Sequence, residues 1–192
     1  MDTKKIIASL AYLAWNQESH EIDNMKAYKL LWLADRYQLR NIGRTVSRDT
    51  YYAMPHGLVP SDAKCLLENG KTKLNTDQEY KSKYIQPVNN YKYKVLIEPD
   101  IDQFSESDIN ALNLVLQKFG NESALYLSEL SHSFPEWTYY QGMIEDKDAK
   151  SSYRVSADHF FESCGADDRG LFNQSPELLS LTKELYHQYH RI

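Results

Sequence analysis

The sequence predicts a mainly α-helical domain with a small antiparallel β-sheet (α+β), organised around one central, buried helix. Three observations lead to this prediction. Apolar residues recur at helical spacing in several segments, short segments alternate in the manner of strands, and the segment 24–42 is apolar around most of its circumference. The chain has 192 residues, 42% of them hydrophobic, which is enough to bury a sizeable core.

Two helices are predicted in the N-terminal part. The first is expected from about Lys4 to Gln17, with Thr3 as its N-cap residue. The second is expected from Asn24 to about Ile42, because Asp23 is a favourable N-cap residue and Gly43 stands where a glycine commonly ends a helix. This second helix is the one predicted to lie at the centre of the domain.

Strands and turns are predicted next. Residues 50–54 are expected to form a short strand, and the segment 55–57 turns the chain. A helix is expected from Pro60 to about Glu68, followed by a long excursion, poor in apolar side chains, over 69–90. Two segments are expected to pair as strands, namely 84–85 and 91–97.

Four further helices are predicted in the C-terminal half. The first follows a near capping box at Ser105–Asp108 and ends at Gly120; the others are expected at 122–131, at 135–141 and from Ser175 onward. We assign residues 1–142 to one domain. Residues 143–192 are expected to form an acidic loop and a C-terminal helix docked on the same core, with three leucines facing inward: Leu178, Leu181 and Leu185.

Charge and cysteine content narrow the class of protein. The 22 basic and 27 acidic residues give a net charge of −5, which argues against a protein that binds mainly to DNA phosphates or to an anionic membrane. The two cysteines are too few for a Cys-rich zinc site or a disulfide framework, and they fit a reducing compartment. No apolar run reaches the roughly 18 residues of a membrane span. We therefore expect a cytoplasmic protein.

Signatures of catalysis are missing from the sequence. There is no GxSxG, GxGxxG or protein-kinase motif. His187 and His190 have a spacing that could chelate a metal ion, but we interpret them as part of a solvated C-terminal turn. We expect no cofactor, no metal ion and no catalytic residue. The alternative is a small enzyme that uses an unrecognised site among His56, His132 and nearby acidic residues.

One segment combines basic and aromatic residues. Residues 71–94 contain six lysines and two acidic residues, with tyrosines between them. This pattern is compatible with single-stranded nucleic acid, but also with lysines on the outer face of an exposed or edge strand, or with a patch for an acidic protein partner. Nucleic-acid binding stays an alternative here, disfavoured by the acidic chain as a whole.

Three sequence blocks, taken together, carry a resemblance to a known family. The blocks are Lys29–Tyr37 followed by Gly43-Arg44, then Tyr52–Ser61, and then Leu127–Ser133 with Trp137 downstream. They resemble the Panacea domain, the SocA-like antitoxin family that is also described as phage-associated proteins. Order and spacing agree over roughly residues 4–142, with Leu58 in place of the family's usual proline and Ser131 in place of its usual threonine.

The resemblance implies a type II-like antitoxin. Members of this family occur beside very different toxins and are thought to neutralise them by direct protein binding, and one is described as a protease adaptor. It therefore implies a cognate toxin, encoded by the adjacent gene, as the partner. A transcriptional autoregulator or a protease adaptor is the alternative.

The aligned positions fall into two groups. Eight are interpreted as structural: Lys29, Leu30, Leu31, Asp35, Gly43, Arg44, Gly57 and Pro60. At least one of Asp35 and Arg36 should be paired if buried, because they lie on an otherwise apolar helix. Gly57 should occupy a turn that needs a positive φ. Five are candidates for partner binding: His56, His132, Trp137, Tyr139 and Tyr140. For Trp137 a core position and an exposed anchor are both open, and His132 could instead bond the last carbonyls of its helix.

Overall fold

The computed structural model describes residues 2–69, 75–146, 150–165 and 169–189. Its elements in chain order are α1 (Thr3–Trp15), β1 (Glu21–Asp23), α2 (Asn24–Ile42), β2 (Tyr51–Met54), β3 (Gly57–Pro60), α3 (Ser61–Lys64) with a π-helical turn (Cys65–Asn69), α4 (Asn75–Tyr84), β4 (Ile85–Asn89), β5 (Lys92–Val95), α5 (Glu106–Phe119), α6 (Ala124–Ser131), α7 (Pro135–Thr138), α8 (Gln141–Glu145), β6 (Tyr153–Arg154) and α9 (Pro176–Tyr189). Two short 3-10 helices lie at Ile101–Gln103 and Ala157–Phe161. The mainly helical fold with a small antiparallel β component is confirmed.

Helix α2 is the central helix, as predicted. The Asp23 carboxylate accepts a hydrogen bond from the backbone N–H of Met25 at 2.8 Å, and Gly43 ends the helix with φ +74°. Both signals act as expected for an N-cap and a left-handed C-terminal glycine. Helices α1, α5, α6 and α9 all pack against α2, and most of its apolar side chains are buried, whereas Ile42 at its C-terminal end is exposed. Within the described residues, no helix is both long and apolar enough to cross a membrane.

The strands form two antiparallel sheets of three strands each. One has the order β1-β5-β4 and the other β3-β2-β6. The predicted pairing near Ile85 is confirmed, because Ile85 on β4 lies opposite Val95 on β5. Strands β1, β3 and β6 were not predicted. They have two to four residues, and all four residues of β3 are buried, so no polar–apolar alternation marks it.

The prediction of an excursion over 69–90 is wrong for most of that range. Residues 75–84 form α4, which packs on α1. The helix has few apolar residues, so its periodicity is weak, and polar contacts attach it instead. The Lys81 ammonium donates to the carbonyl of Leu66, and the Tyr80 hydroxyl donates to Asp100 at 2.9 Å. Residues 70–74 lie outside the described residues.

Helix α9 packs against α2, and one of the three leucines predicted to face inward, Leu181, faces outward. Leu181 is 55% exposed, and Leu178 and Leu185 are only half-buried. The fully buried residue is Thr182, whose hydroxyl donates to Leu178 O at 2.8 Å within its own helix and lies 3.2 Å from Arg40 O at the end of α2. A small side chain is needed there because the two backbones come close. The division at residue 142 stays a prediction, and residues 147–149, 166–168 and 190–192 lie outside the described residues.

Candidate partner-binding surface

The turn between β2 and β3 is built from Pro55 and His56. Met54 pairs with Gly57 across the turn, and Gly57 has φ +91°, the positive value that the sequence suggested. A Cβ atom at this position would collide with the Ser131 hydroxyl and the Lys29 ammonium. Both the backbone conformation and the close packing therefore require glycine.

Side chains from three helices hold the carbonyl oxygens of this turn. The Trp137 indole N–H of α7 donates to Met54 O at 2.9 Å, and the Ser128 hydroxyl of α6 donates to His56 O at 2.7 Å. The Lys29 ammonium of α2 donates to His56 O and to Leu58 O, both at 2.8 Å. A two-residue turn needs none of these bonds to form. They fix its position relative to the helices.

Lys29 is a buried cation that bonds to carbonyl oxygens. Its side chain is fully buried, and its hydrogen bonds in the described chain go to the carbonyls of His56 and Leu58. Burial lowers the pKa of Lys29 to about 7, because the charged form loses its hydration. By its position this residue of the first family block is therefore structural: it donates hydrogen bonds to the turn from within the core.

His132 follows α6 and turns its ring toward the same turn. The ring stacks on Trp137 with centroids 4.1 Å apart and hydrogen-bonds the backbone of Pro55, not the last carbonyls of α6 as the sequence suggested. Its Nε2 atom is buried and has no hydrogen-bond partner in the described chain. Burial, followed by the charges of Lys29 and His56, lowers the pKa of His132.

The candidate binding residues separate into two places. His56 is exposed at the turn, with His132 and Trp137 beneath it. The Trp137 side chain is only 6% exposed, so of the two positions left open by the sequence it takes the core position. Tyr139 is 61% exposed, and its ring contacts Tyr140 and His159 instead. Tyr140 is buried and accepts a hydrogen bond from the backbone of residue 156 at 3.1 Å.

The other residues of the first family block are structural in position. Leu30 and Leu31 are fully buried in the core. The Asp35 carboxylate is buried and accepts hydrogen bonds from the Ser47 N–H at 2.8 Å and the Tyr51 hydroxyl at 2.7 Å. Burial raises the pKa of Asp35 to about 6 in spite of these bonds. The expectation that at least one of Asp35 and Arg36 is paired if buried is confirmed by Asp35.

Gly43, Arg44 and Pro60 connect the blocks to their surroundings. A Cβ on Gly43 would lie 2.7 Å from the carbonyl oxygen of Thr182, so the glycine also lets α9 approach. Arg44 pairs with the buried Asp108 at 2.7 Å, and Pro60 is the buried last residue of β3. The Asp108 carboxylate also pairs with Lys5 of α1 at 2.7 Å.

A buried ion pair beside the turn was only half predicted. At least one of Asp35 and Arg36 was expected to be paired, and Arg36 forms an ion pair with Glu136 of α7 at 2.6 Å, with both side chains fully buried. The other Glu136 oxygen accepts from the Trp32 indole N–H at 2.9 Å. A charged residue within an otherwise apolar helix indicates that Arg36 needs a partner. The sequence does not identify that partner, because Glu136 lies 100 positions away.

Acidic residues oppose the lysines of β5. The register places Glu21 of β1 opposite Lys94, and Asp23 opposite Lys92. Directly opposed side chains in antiparallel strands lie about 5 Å apart at Cβ. These carboxylates therefore reduce the local positive charge that a nucleic acid would meet. Lys71 and Lys73 of the same segment lie outside the described residues.

These observations define a mainly helical domain with a solvent-exposed turn that side chains of three helices bond from below. The chain matches the family model described as "Antitoxin SocA-like, Panacea domain" over residues 28–138. It belongs to this family. No curated protein and no solved structure matches it.

Proposed function

We propose that the protein is an antitoxin that neutralises a co-encoded toxin by direct protein–protein binding, in the cytoplasm and without catalysis. The observation that carries this proposal is the family match over residues 28–138. The matched range contains the turn, the lysine beneath it and the tryptophan bonded to it. Large, stable complexes use surfaces that keep one shape, and this turn meets that requirement.

The enzyme alternative gains no support from the two histidines. His132 stacks on Trp137 and bonds the backbone of Pro55, and no carboxylate among the described residues hydrogen-bonds either His132 or His56. A general base of the usual kind has a hydrogen-bonded partner that orients it. We propose that these residues serve binding.

Transcriptional autoregulation through residues 71–94 is the weaker alternative, because Glu21 and Asp23 oppose two of the lysines. A mobility-shift titration with upstream DNA at about 150 mM salt tests it, since specific DNA binding usually survives that salt concentration. No shift at micromolar protein is expected.

The proposed function is tested by expressing the adjacent open reading frame with and without this protein. We expect growth arrest by the neighbour alone and recovery on co-expression. A neighbour that is not toxic, or toxicity that this protein does not relieve, contradicts the proposal and favours a regulator or a protease adaptor.

A further inference from the structure

Three aliphatic side chains are exposed close together on the segment that joins β5 to α5. Leu96 is 46% exposed, Ile97 40% and Ile101 56%. Single exposed apolar residues are ordinary on protein surfaces, whereas a cluster of them bordered by polar residues is typical of an interaction site. We call residues 96–106 the 96–106 strip.

Helix α4 holds the backbone of the 96–106 strip at two points. The Leu96 N–H donates to Tyr84 O at 2.9 Å, and the Tyr80 hydroxyl donates to the Asp100 carboxylate at 2.9 Å. The Asp100 carboxylate also accepts from the Asp102 N–H at 3.3 Å and so caps the short 3-10 helix. The aliphatic side chains therefore stand on a backbone that tertiary hydrogen bonds hold, and binding there requires little further ordering.

Carboxylate side chains lie between and beside these aliphatic residues. Glu98, Asp102 and Glu106 are exposed, and their carboxylates form no hydrogen bond or ion pair with the described residues. Glu106 lies in the first turn of α5, where a carboxylate also stabilises the helix. Glu98 lies in no helix, so this effect does not account for its charge. The strip is therefore apolar and negatively charged at the same time.

Basic side chains on the elements around the strip have other contacts. Lys5 and Arg44 both pair with the buried Asp108 at 2.7 Å. Lys4 and Lys83 lie over tyrosine rings of α4, with their nitrogen atoms 5.7 and 5.0 Å from the ring centroids, and neither forms an ion pair with the strip. The carboxylates of the strip therefore lack a counter-charge among the described residues.

This combination of side chains selects the chemistry of a partner. A purely apolar surface would bury the carboxylates without partners, which costs free energy. An acidic surface would add repulsion between like charges. A surface with an apolar centre and a border of lysine or arginine covers the aliphatic side chains and pairs the carboxylates.

We propose that the 96–106 strip docks the toxin through an apolar surface bordered by lysine or arginine. The apolar side chains cover Leu96, Ile97 and Ile101, and the basic groups pair with Glu98 and Asp102. This inference rests on the proposed function, because it names the surface and the chemistry by which the antitoxin recognises its partner. The strip is separate from the β2–β3 turn, which side chains of α2, α6 and α7 bond. Opposite charges at the border of an interface give specificity for one partner.

The test is the affinity of two matched pairs of variants for the product of the adjacent gene. Ile101→Ser removes an aliphatic side chain from the strip, and Leu181→Ser removes one of nearly equal exposure, 55%, from α9. Glu98→Lys reverses a charge of the strip, and Glu184→Lys reverses an exposed charge on α9. We expect both strip variants to bind at least about fivefold more weakly, and both α9 variants to bind within about twofold of the unsubstituted protein. Unchanged melting temperatures verify that the substitutions leave the fold intact.

The outcomes separate the two claims. Strip variants that bind as tightly as the α9 variants overturn the docking surface and leave the proposed function intact. No binding by the unsubstituted protein counts against the proposed function. In that case an NMR titration with an amphipathic leucine–lysine peptide decides the inference: it should shift the methyl resonances of Leu96, Ile97 and Ile101, and a leucine–glutamate peptide should not. No shift with the leucine–lysine peptide, or an equal shift of Leu181, overturns the inference.

Discussion

The side-chain nitrogen of Lys29 lies 2.8 Å from the carbonyl oxygen of His56, so a buried lysine of the central helix fixes the tip of an exposed turn. The two residues are 27 positions apart and belong to different blocks of the family pattern. Their contact joins the two blocks in the fold, because the helix supplies a donor that fixes the position of the turn. Two predictions about stability follow from this arrangement, and two others concern the buried ion pair of Arg36 and helix α9.

Substitution of Gly57 by alanine should destabilise the domain. The residue has φ +91°, and a Cβ would meet the Ser131 hydroxyl and the Lys29 ammonium. Backbone strain and overpacking together should lower the free energy of unfolding by about 3 kcal/mol. Denaturant unfolding of the two proteins measures this difference in the free energy of unfolding. The matched control is Gly142→Ala in α8, where no atom lies within 4 Å of the added Cβ; equal stability of the two variants would contradict the packing described for the turn.

The stability that depends on Lys29 should increase as the pH rises above 7. The folded-state pKa of Lys29 is about 7, below its ordinary value of 10.5. The unfolded chain therefore holds this proton more tightly, and protonation in that range favours unfolding. Between these two pKa values, the free energy of unfolding should rise by on the order of 1 kcal/mol for each pH unit.

Thermal unfolding between about pH 7 and 9.5 checks this dependence. Lys29→Met lacks the titrating group and serves as the reference, so that the other ionisable residues cancel in the comparison. The stability of the unsubstituted protein relative to Lys29→Met should rise over this range, because the folded-state pKa is depressed. Parallel pH curves for the two proteins would show that Lys29 is not buried as described.

Breaking the ion pair of Arg36 and Glu136 should be costly. Both side chains are fully buried, and removing one partner leaves the other charge unpaired in the core. Glu136→Gln should lower the free energy of unfolding by about 3–5 kcal/mol. The control is Lys64→Met, which breaks a solvent-exposed pair with Glu68 and should cost at most about 0.5 kcal/mol. A small effect of Glu136→Gln would argue against the buried pair.

Removal of α9 should lower the melting temperature by more than about 5 °C. The helix packs along α2, and Thr182 lies over Gly43 and the last turn of α2. Truncation before Pro176 exposes this surface. Leu181→Gln is the control within the same helix, and it should change little because Leu181 is 55% exposed. An unchanged melting temperature after truncation would identify α9 as an extension that does not support the domain.

The boundaries of α2 were predictable because local chemistry sets them. Asp23 caps the first turn through its own side chain, and Gly43 adopts a left-handed conformation that other residues rarely take. The capping box at Ser105 and Asp108 was predictable for the same reason. These signals lie within a few residues of the features that they determine.

Helix α4 was not predictable from periodicity, because tertiary contacts stabilise it. Its Lys81 and Tyr80 bond to groups 15 and 20 positions away, and the helix itself has no strong apolar face. On α9, Leu178 and Leu185 lie on the packed face as predicted, but the residue of closest approach was missed because it is a small polar one, Thr182. Hydrophobicity alone does not identify such a residue.

The candidate site was predictable in its parts but not in its arrangement. Gly57 and His56 stand out in the sequence as turn residues, and the structure shows that Lys29, Ser128 and Trp137 bond that turn from three helices. The sequence separation of these contacts reaches 83 positions. Only the folded chain shows that the acceptors of the turn are occupied.

The central claim is that this protein acts by binding its partner, and the most direct measurement is the affinity of the purified pair. We expect the product of the adjacent gene to form a complex of defined stoichiometry with a Kd below about 100 nM, as for a stable interface of ordinary size. Isothermal titration calorimetry together with light scattering gives both quantities. Two folded proteins that form no complex at about ten micromolar would contradict the account.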